Sequence, residues 1–160
     1  MMSTTVPQFR LLFTFNNYGH SPAQNVSTFF EIFPGLICHV PAECLVVQKR
    51  VCRVAVDGVN STSLIVFPGE HPQSQELQYI SNADLAAATT KMPATFKVIL
   101  PHIFLCVAYR ITNAEEIKKT WYAFEVIRRQ QNGVIRITDG EIPAEELIVI
   151  LDPLAPMGAD

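Results

Sequence analysis

The sequence predicts a mainly β, antiparallel fold decorated by one to three short helices. Three features point there. Apolar and polar residues alternate with period two in several segments, β-branched and aromatic residues concentrate in those segments, and glycine, proline and asparagine turns separate them. A length of 160 residues suits a single domain, and 49% hydrophobic against 17% charged residues excludes a disordered, collagenous or coiled-coil chain. Twelve basic and fifteen acidic side chains leave a net charge of -3, so no basic stripe exists to neutralise a phosphate backbone. Nucleic acid is therefore not an expected partner.

The clearest strand is 8–16, where Phe9, Leu11, Phe13 and Phe15 alternate with Gln8, Arg10, Thr14 and Asn16. The polar break from Asn17 to Pro22 turns the chain, with Gly19 expected at positive φ and Pro22 stopping ladder pairing. Residues 24–33 carry Val26, Thr28, Phe29, Phe30 and Ile32 and end at Pro34-Gly35, so the first two strands are expected to pair antiparallel. Pro41 and Glu43 suit the start of a helix whose far end gathers Lys49, Arg50 and Arg53, which favours a helix to Val56. Val46, Val47, Val51 and Val54 leave a strand closed by Asp57-Gly58 as the alternative.

A short strand is expected over 63–67, stopped by Pro68-Gly69, and the polar run 70–78 reads as loop or edge strand. Ser81 or Asn82 caps a short helix through Ala86, Ala87 and Ala88. Residues 99–111 are apolar on both faces, as in the middle of a sheet, and form a hairpin with the alternating stretch 119–129. Gln131-Asn132-Gly133 fits a type I′ turn leading into Val134, Ile135 and Ile137. Residues 142–147 resemble a short helix start, and a tail with Pro153 and Pro156 comes after it. The expected organisation is one domain over 1–160, with flexible ends at 1–7 and 153–160.

The longest charge-free apolar stretch, 98–109, is interrupted by Pro101 and His102 and is too short for the roughly 20 residues of a spanning helix. The N-terminus Met1-Met2-Ser3-Thr4-Thr5 has neither the basic nor the apolar region of a signal peptide, so a cytoplasmic location is expected. Cys38, Cys44, Cys52 and Cys106 lack paired zinc spacing and sit among apolar neighbours. They read as buried free thiols in a reducing cytosol, although an even count also permits two disulfides.

No catalytic, cofactor-binding or metal-binding residues are assigned. His20, His39, His71 and His102 share no metal-binding spacing, and there is no nucleophile elbow or phosphate-cradling glycine loop. Glu115, Glu116, Glu145 and Glu146 read as solvated charges, and Asn25 and Asn60 as chance glycosylation patterns. Arg128, Arg129 and Arg136 read as guards of a sheet edge, with a small anion patch as the alternative. Trp121, Tyr122 and Phe124 divide between the core and a stacking surface.

Three stretches together carry a resemblance. Phe15-Asn16-Asn17-Tyr18-Gly19-His20-Ser21-Pro22-Ala23-Gln24-Asn25-Val26 matches F-x-N-x-G-x-[ST]-P-A-x-N-V, and Phe67-Pro68-Gly69-Glu70 matches F-P-G-[EQ]. Cys106-Val107-Ala108-Tyr109-Arg110 together with 120–129 completes the set. The pattern resembles the C-terminal soluble domain of bacterial hypothetical proteins held in the membrane by N-terminal hydrophobic helices, over nearly the whole chain. The resemblance implies an immunoglobulin-like antiparallel β-sandwich of unassigned biochemical role, tethered to a bacterial membrane in a longer form; with no export signal read, the cytoplasm, at the inner face of the inner membrane, is the expected place. The resemblance supplies no catalytic residues.

The expected function is a non-enzymatic interaction domain that binds another protein or itself, most simply through an edge strand. The alternative is a ligand-binding module of the same fold, for a glycan or small apolar molecule, which a concave site containing Trp121 or Tyr122 would favour. An enzyme would require a buried constellation of titratable groups from distant strands.

Overall fold

The computed structural model describes residues 8–35, 41–89, 98–112, 114–130, 133–136, 141–152, 155 and 158–159. The fold is mainly β, with antiparallel sheets and one long helix. The elements are β1 (Gln8–Thr14), β2 (Ala23–Phe33), α1 (Pro41–Gly58), β3 (Gln73–Tyr79), α2 (Asn82–Thr89), β4 (Val98–Ile99), β5 (His102–Ile111), β6 (Ile117–Arg128), β7 (Ile135–Arg136), β8 (Leu147–Leu151) and β9 (Gly158–Ala159). The main sheet runs β2-β5-β6-β8, with β9 also on β6; β1 and β3 form a second sheet, and β4 and β7 a third pair.

The apolar strand expected near the sheet centre is β5, flanked by β2 and β6, and its hairpin with β6 forms as expected. It begins at His102 because Pro101 breaks the ladder after β4. Alternation along β5 divides the core in two. Phe104, Cys106 and Ala108 face α1, whose buried Cys44, Val47, Val51, Cys52 and Ala55 recur at helical spacing. The valine-rich segment is thus a helix: its buried positions keep to period 3.6, and packing of that face outweighs the weaker helix propensity of β-branched residues. Ile103 and Leu105 face the other way, toward Phe30, Ile80, Leu85 and Val126, with Phe9, Leu11 and Phe13 of β1 packed onto this second cluster. The ring centroids of Phe13 and Phe30 lie 5.1 Å apart.

Several expectations are corrected. β1 pairs with β3 rather than with β2. The polar segment between β1 and β2 is too long for a tight hairpin and carries the chain from the second sheet to the main one. There, Ala23 of β2 exchanges backbone hydrogen bonds with Val66 on one side and registers with Ile111 of β5 on the other. The stretch 63–67 contributes that single bridge rather than a strand. Gly19 is not among the positive-φ glycines; Gly69 and Gly133 are, and Asn25 joins them at φ 53. Asn25 lies in a register shift between Gln24 and Ser27, where the extra residue of a bulge needs a left-handed backbone that asparagine tolerates.

The free-thiol expectation is overturned. Cys52 on α1 is disulfide-bonded to Cys106 on β5, with Cα atoms 5.1 Å apart. Cys44 is disulfide-bonded as well. Apolar neighbours mark both Cys52 and Cys106 as buried, yet only the laying of α1 across β5 brings them together. The short C-terminal helix start is a 3-10 turn, Ala144–Glu146, and the chain continues from it as the strand β8 rather than as a tail. The expected turn at Gln131-Asn132 and the residues Cys38 and His39 lie outside the described residues, as do 1–7 and most of 153–160. No described helix is long and apolar enough to cross a membrane.

Candidate functional site

The loop between β1 and β2 is held by one side chain. Asn17 Nδ2 donates to the carbonyls of Ser21 and Val66, each at 2.9 Å, and its Oδ1 accepts from the Gly19 amide at 2.9 Å. A Cβ on Gly19 would lie 3.1 Å from Asn17 Oδ1, so the glycine serves a close approach rather than a positive φ. Tyr18 at the tip is 87% exposed. His71 meets the side chain of Asn16 across the same loop.

The constellation nearest to acid–base chemistry surrounds His102. Its Nδ1 is 2.9 Å from the Leu100 carbonyl oxygen, which places the proton there. Its Nε2 faces Asp152 Oδ2 at 3.5 Å and Glu125 Oε1 at 3.9 Å. Three separate chain segments meet at this point, one on β5, one on β6 and one just after β8. His102 and Asp152 are only 2% and 4% exposed, so the two side chains meet inside the fold, across β6. Among the described residues no three His, Cys, Asp or Glu side chains are arranged to hold a metal.

A half-open groove of about 350 Å³ lies between α1 and β6. Leu45, Cys52, Val56 and Trp121 form its apolar part, and Lys49, Arg53 and Lys119 bring positive charge without an acid among the lining residues. Trp121 Nε1 and Gln48 Oε1 are buried with no hydrogen-bond partner. Because those atoms are themselves covered, they are not directly presented to the groove.

The remaining residues singled out in the sequence separate. Arg128 donates from Nε and Nη2 to Glu146 Oε2 at 2.9 and 2.7 Å, so neither reads as a free charge. Glu116 pairs with Lys118 at 2.9 Å. Tyr122 and Phe124 stack with centroids 6.0 Å apart on the sheet face opposite Trp121.

Beside that pair lies a surface that the sequence does not reveal. Phe124 registers with Leu151, Val126 with Val149 and Arg128 with Leu147, so all six belong to one face. Tyr122, Val149 and Leu151 are exposed there, at 38%, 52% and 49%. The β1–β3 sheet covers the same face further along, leaving an apolar strip at the β8 margin. Among the described strands, β8 has β6 as its one ladder neighbour, which makes it an edge. The run Leu147-Ile148-Val149-Ile150-Leu151 is apolar at every position, so it lacks period-two alternation and gives no half-buried strand signal of its own.

No protein-family model, curated protein or solved structure matches the chain.

Proposed function

We propose that the chain is a non-enzymatic interaction domain on an immunoglobulin-like β-sandwich, the soluble part of a bacterial membrane-associated protein, with the strip at the β8 margin as its contact surface. The observation that carries this reading is the exposed apolar continuity of Tyr122, Leu151 and Val149 along an edge strand that has neither charge nor proline within it. The sandwich is supported by the second sheet packing Phe13 of β1 against Phe30 of β2. A photo-crosslinking residue placed at Tyr122 or Leu151 of the full chain in cells should give products of defined mass, while one at exposed Leu12 of β1 should not. Equal products at all three positions, or none at Tyr122 and Leu151, would refute it.

The location expected from the sequence, cytoplasmic at the inner face of the membrane, competes with an oxidising compartment. The Cys52–Cys106 bond favours the latter, because disulfides persist where glutathione does not reduce them. Trapping of thiols with a maleimide in intact cells decides: blocked cysteines that react only after reduction support the oxidising compartment, and immediate reaction supports the cytosol.

A second reading rests on the groove. Trp121 in a concavity of this size, among three cations, suits a small ligand with an apolar body and a negative charge rather than a neutral glycan. Titration with a medium-chain fatty acid should change Trp121 fluorescence saturably, and Lys49→Glu should weaken the effect; a linear or absent response would remove the ligand reading.

A further inference from the structure

We propose that β8 pairs with β8 of a second copy of this chain, antiparallel, about a two-fold axis through Val149. The inference rests on the interaction reading above and names its partner. The strand reads the same in both directions: Leu147, Ile148, Val149, Ile150, Leu151. An antiparallel pairing centred on Val149 therefore sets Leu147 against Leu151, Ile148 against Ile150 and Val149 against itself. Every side-chain contact joins apolar residues of the same kind, and the two-fold makes each contact reciprocal, as in an isologous interface.

The backbone is oriented for the same register. At the two ends of the β6–β8 ladder, the Arg129 amide donates to the Glu146 carbonyl and the Asp152 amide to the Ala123 carbonyl. In an antiparallel ladder the hydrogen-bonded pairs alternate. With Arg128 opposite Leu147 and Val126 opposite Val149, the inward-bonded residues of β8 are Ile148 and Ile150. The Val126 amide agrees, since it donates away from β8 to the Pro101 carbonyl. Val149 and Leu151 thus direct their amides and carbonyls to the edge that no described strand pairs, joined by the Leu147 carbonyl, while the Leu147 amide donates to the Ala144 carbonyl of its own turn. In the two-fold register these groups meet across hydrogen-bonded pairs, giving about four backbone bonds.

The flanks tolerate the arrangement. It brings Glu146 of one copy opposite Asp152 of the other, which would repel if both stood alone. Glu146 already accepts from Arg128, and Asp152 faces His102. On the bare face, Tyr122 and Phe124 flank the new strand pair and extend its apolar contact. The opposite edge of the main sheet is not equivalent: β2 is partly covered by Leu64 and Val66 through backbone bonds to Val26 and Ala23. Five residues a side make a small interface, so the dimer dissociates within reach of dilution.

The test is sedimentation velocity of the full chain over about 1 µM to 1 mM, the range in which small interfaces dissociate, joined to amide exchange at both ends of that range. A monomer–dimer equilibrium is expected. Exchange at Val149 and Leu151 should slow with concentration, while Ile148 and Ile150 stay protected throughout. Val149→Lys places two ammonium groups at the axis and should weaken the dimer by about tenfold or more, with an unchanged thermal melt of the monomer. The exchange measurement on the unmutated chain needs no variant, so a misfolded Val149→Lys leaves the test intact. A monomer at every concentration, or a dimer in which the Val149 and Leu151 amides remain fast, overturns the β8 pairing. Crosslinks from Tyr122 or Leu151 to a protein of another mass would then leave the interaction reading standing without the second copy; their absence as well would end both.

Discussion

Cys52 of α1 and Cys106 of β5 are joined by a disulfide between residues 54 positions apart, so the long helix is bonded covalently to the central strand it covers. Closing a loop of that length removes conformational freedom from the unfolded chain, by about 4 kcal/mol in the chain-entropy account. Replacing both cysteines by alanine should lower the stability by that order and reduce the urea midpoint, and reduction of the native chain, which also opens the disulfide of Cys44, should lower it at least as far. An unchanged midpoint in the double variant would mean that burial of α1, not the bond, holds the helix in place.

Asn17 should matter more to the loop than any residue near it. Its side chain makes three hydrogen bonds to backbone groups at Ser21, Val66 and Gly19. Asn17→Ala removes all three and leaves partly buried carbonyls wanting, at a cost of about 1–3 kcal/mol. Asn17→Asp keeps the acceptor for Gly19 but has no donor for the two carbonyls, so it should fail to restore stability. Chemical denaturation of both variants checks this; full recovery in Asn17→Asp would locate the effect in the Gly19 turn alone.

How far the sequence revealed this arrangement depends on the range of the signal. Period-two alternation located β1 and β6, and the two-sided apolar run located β5, because each pattern is carried by residues close in the chain. The helix α1 was legible from its proline and its charges, with its valines leaving a strand as the alternative. The β1–β3 pairing was not, since the choice of partner is decided by where the Asn17 loop delivers the chain to Val66. The strand β8 was hidden by an apolar run without alternation, and the meeting of Cys52 with Cys106 or of His102 with Asp152 needs the folded sheet. The strip formed by Tyr122, Leu151 and Val149 likewise draws on two strands, and only the β6–β8 register places them together.

Asn25 gives a test of the bulge in β2. Its φ of 53 is tolerated by asparagine and free for glycine, but it strains a β-branched side chain. Asn25→Gly should leave stability within about 0.5 kcal/mol, whereas Asn25→Val should cost about 1–2 kcal/mol. Thermal melts of the two variants compare them directly. Equal melts would mean that the bulge shifts register to relieve the valine, and the pairing of Ala23 with Ile111 would then be the first to change in amide exchange.

Gly158 offers a reading of how tightly β9 closes on the sheet. A Cβ at this position would stand 2.6 Å from Cζ2 of Trp121 and 3.1 Å from two further ring atoms, and Gly158 is the register partner of Trp121 itself. β9 is held to β6 by only two register pairs, whereas the indole is packed against the core beneath α1, so the strand is the part that gives way. Gly158→Ala should therefore displace β9 from β6, exposing the indole whose Nε1 is otherwise buried. Trp121 is the one tryptophan of the chain, so its emission reports the change without interference. A red-shifted, more readily quenched emission is expected, with little loss of far-ultraviolet strand signal since β9 spans two residues. Gly69→Ala is the control: nothing stands within 4 Å of its Cβ, so it should disturb stability only through its φ of +81 and leave the emission in place. An unshifted emission in Gly158→Ala would mean that the indole moves toward the groove instead, and the groove would then lose volume available to any ligand.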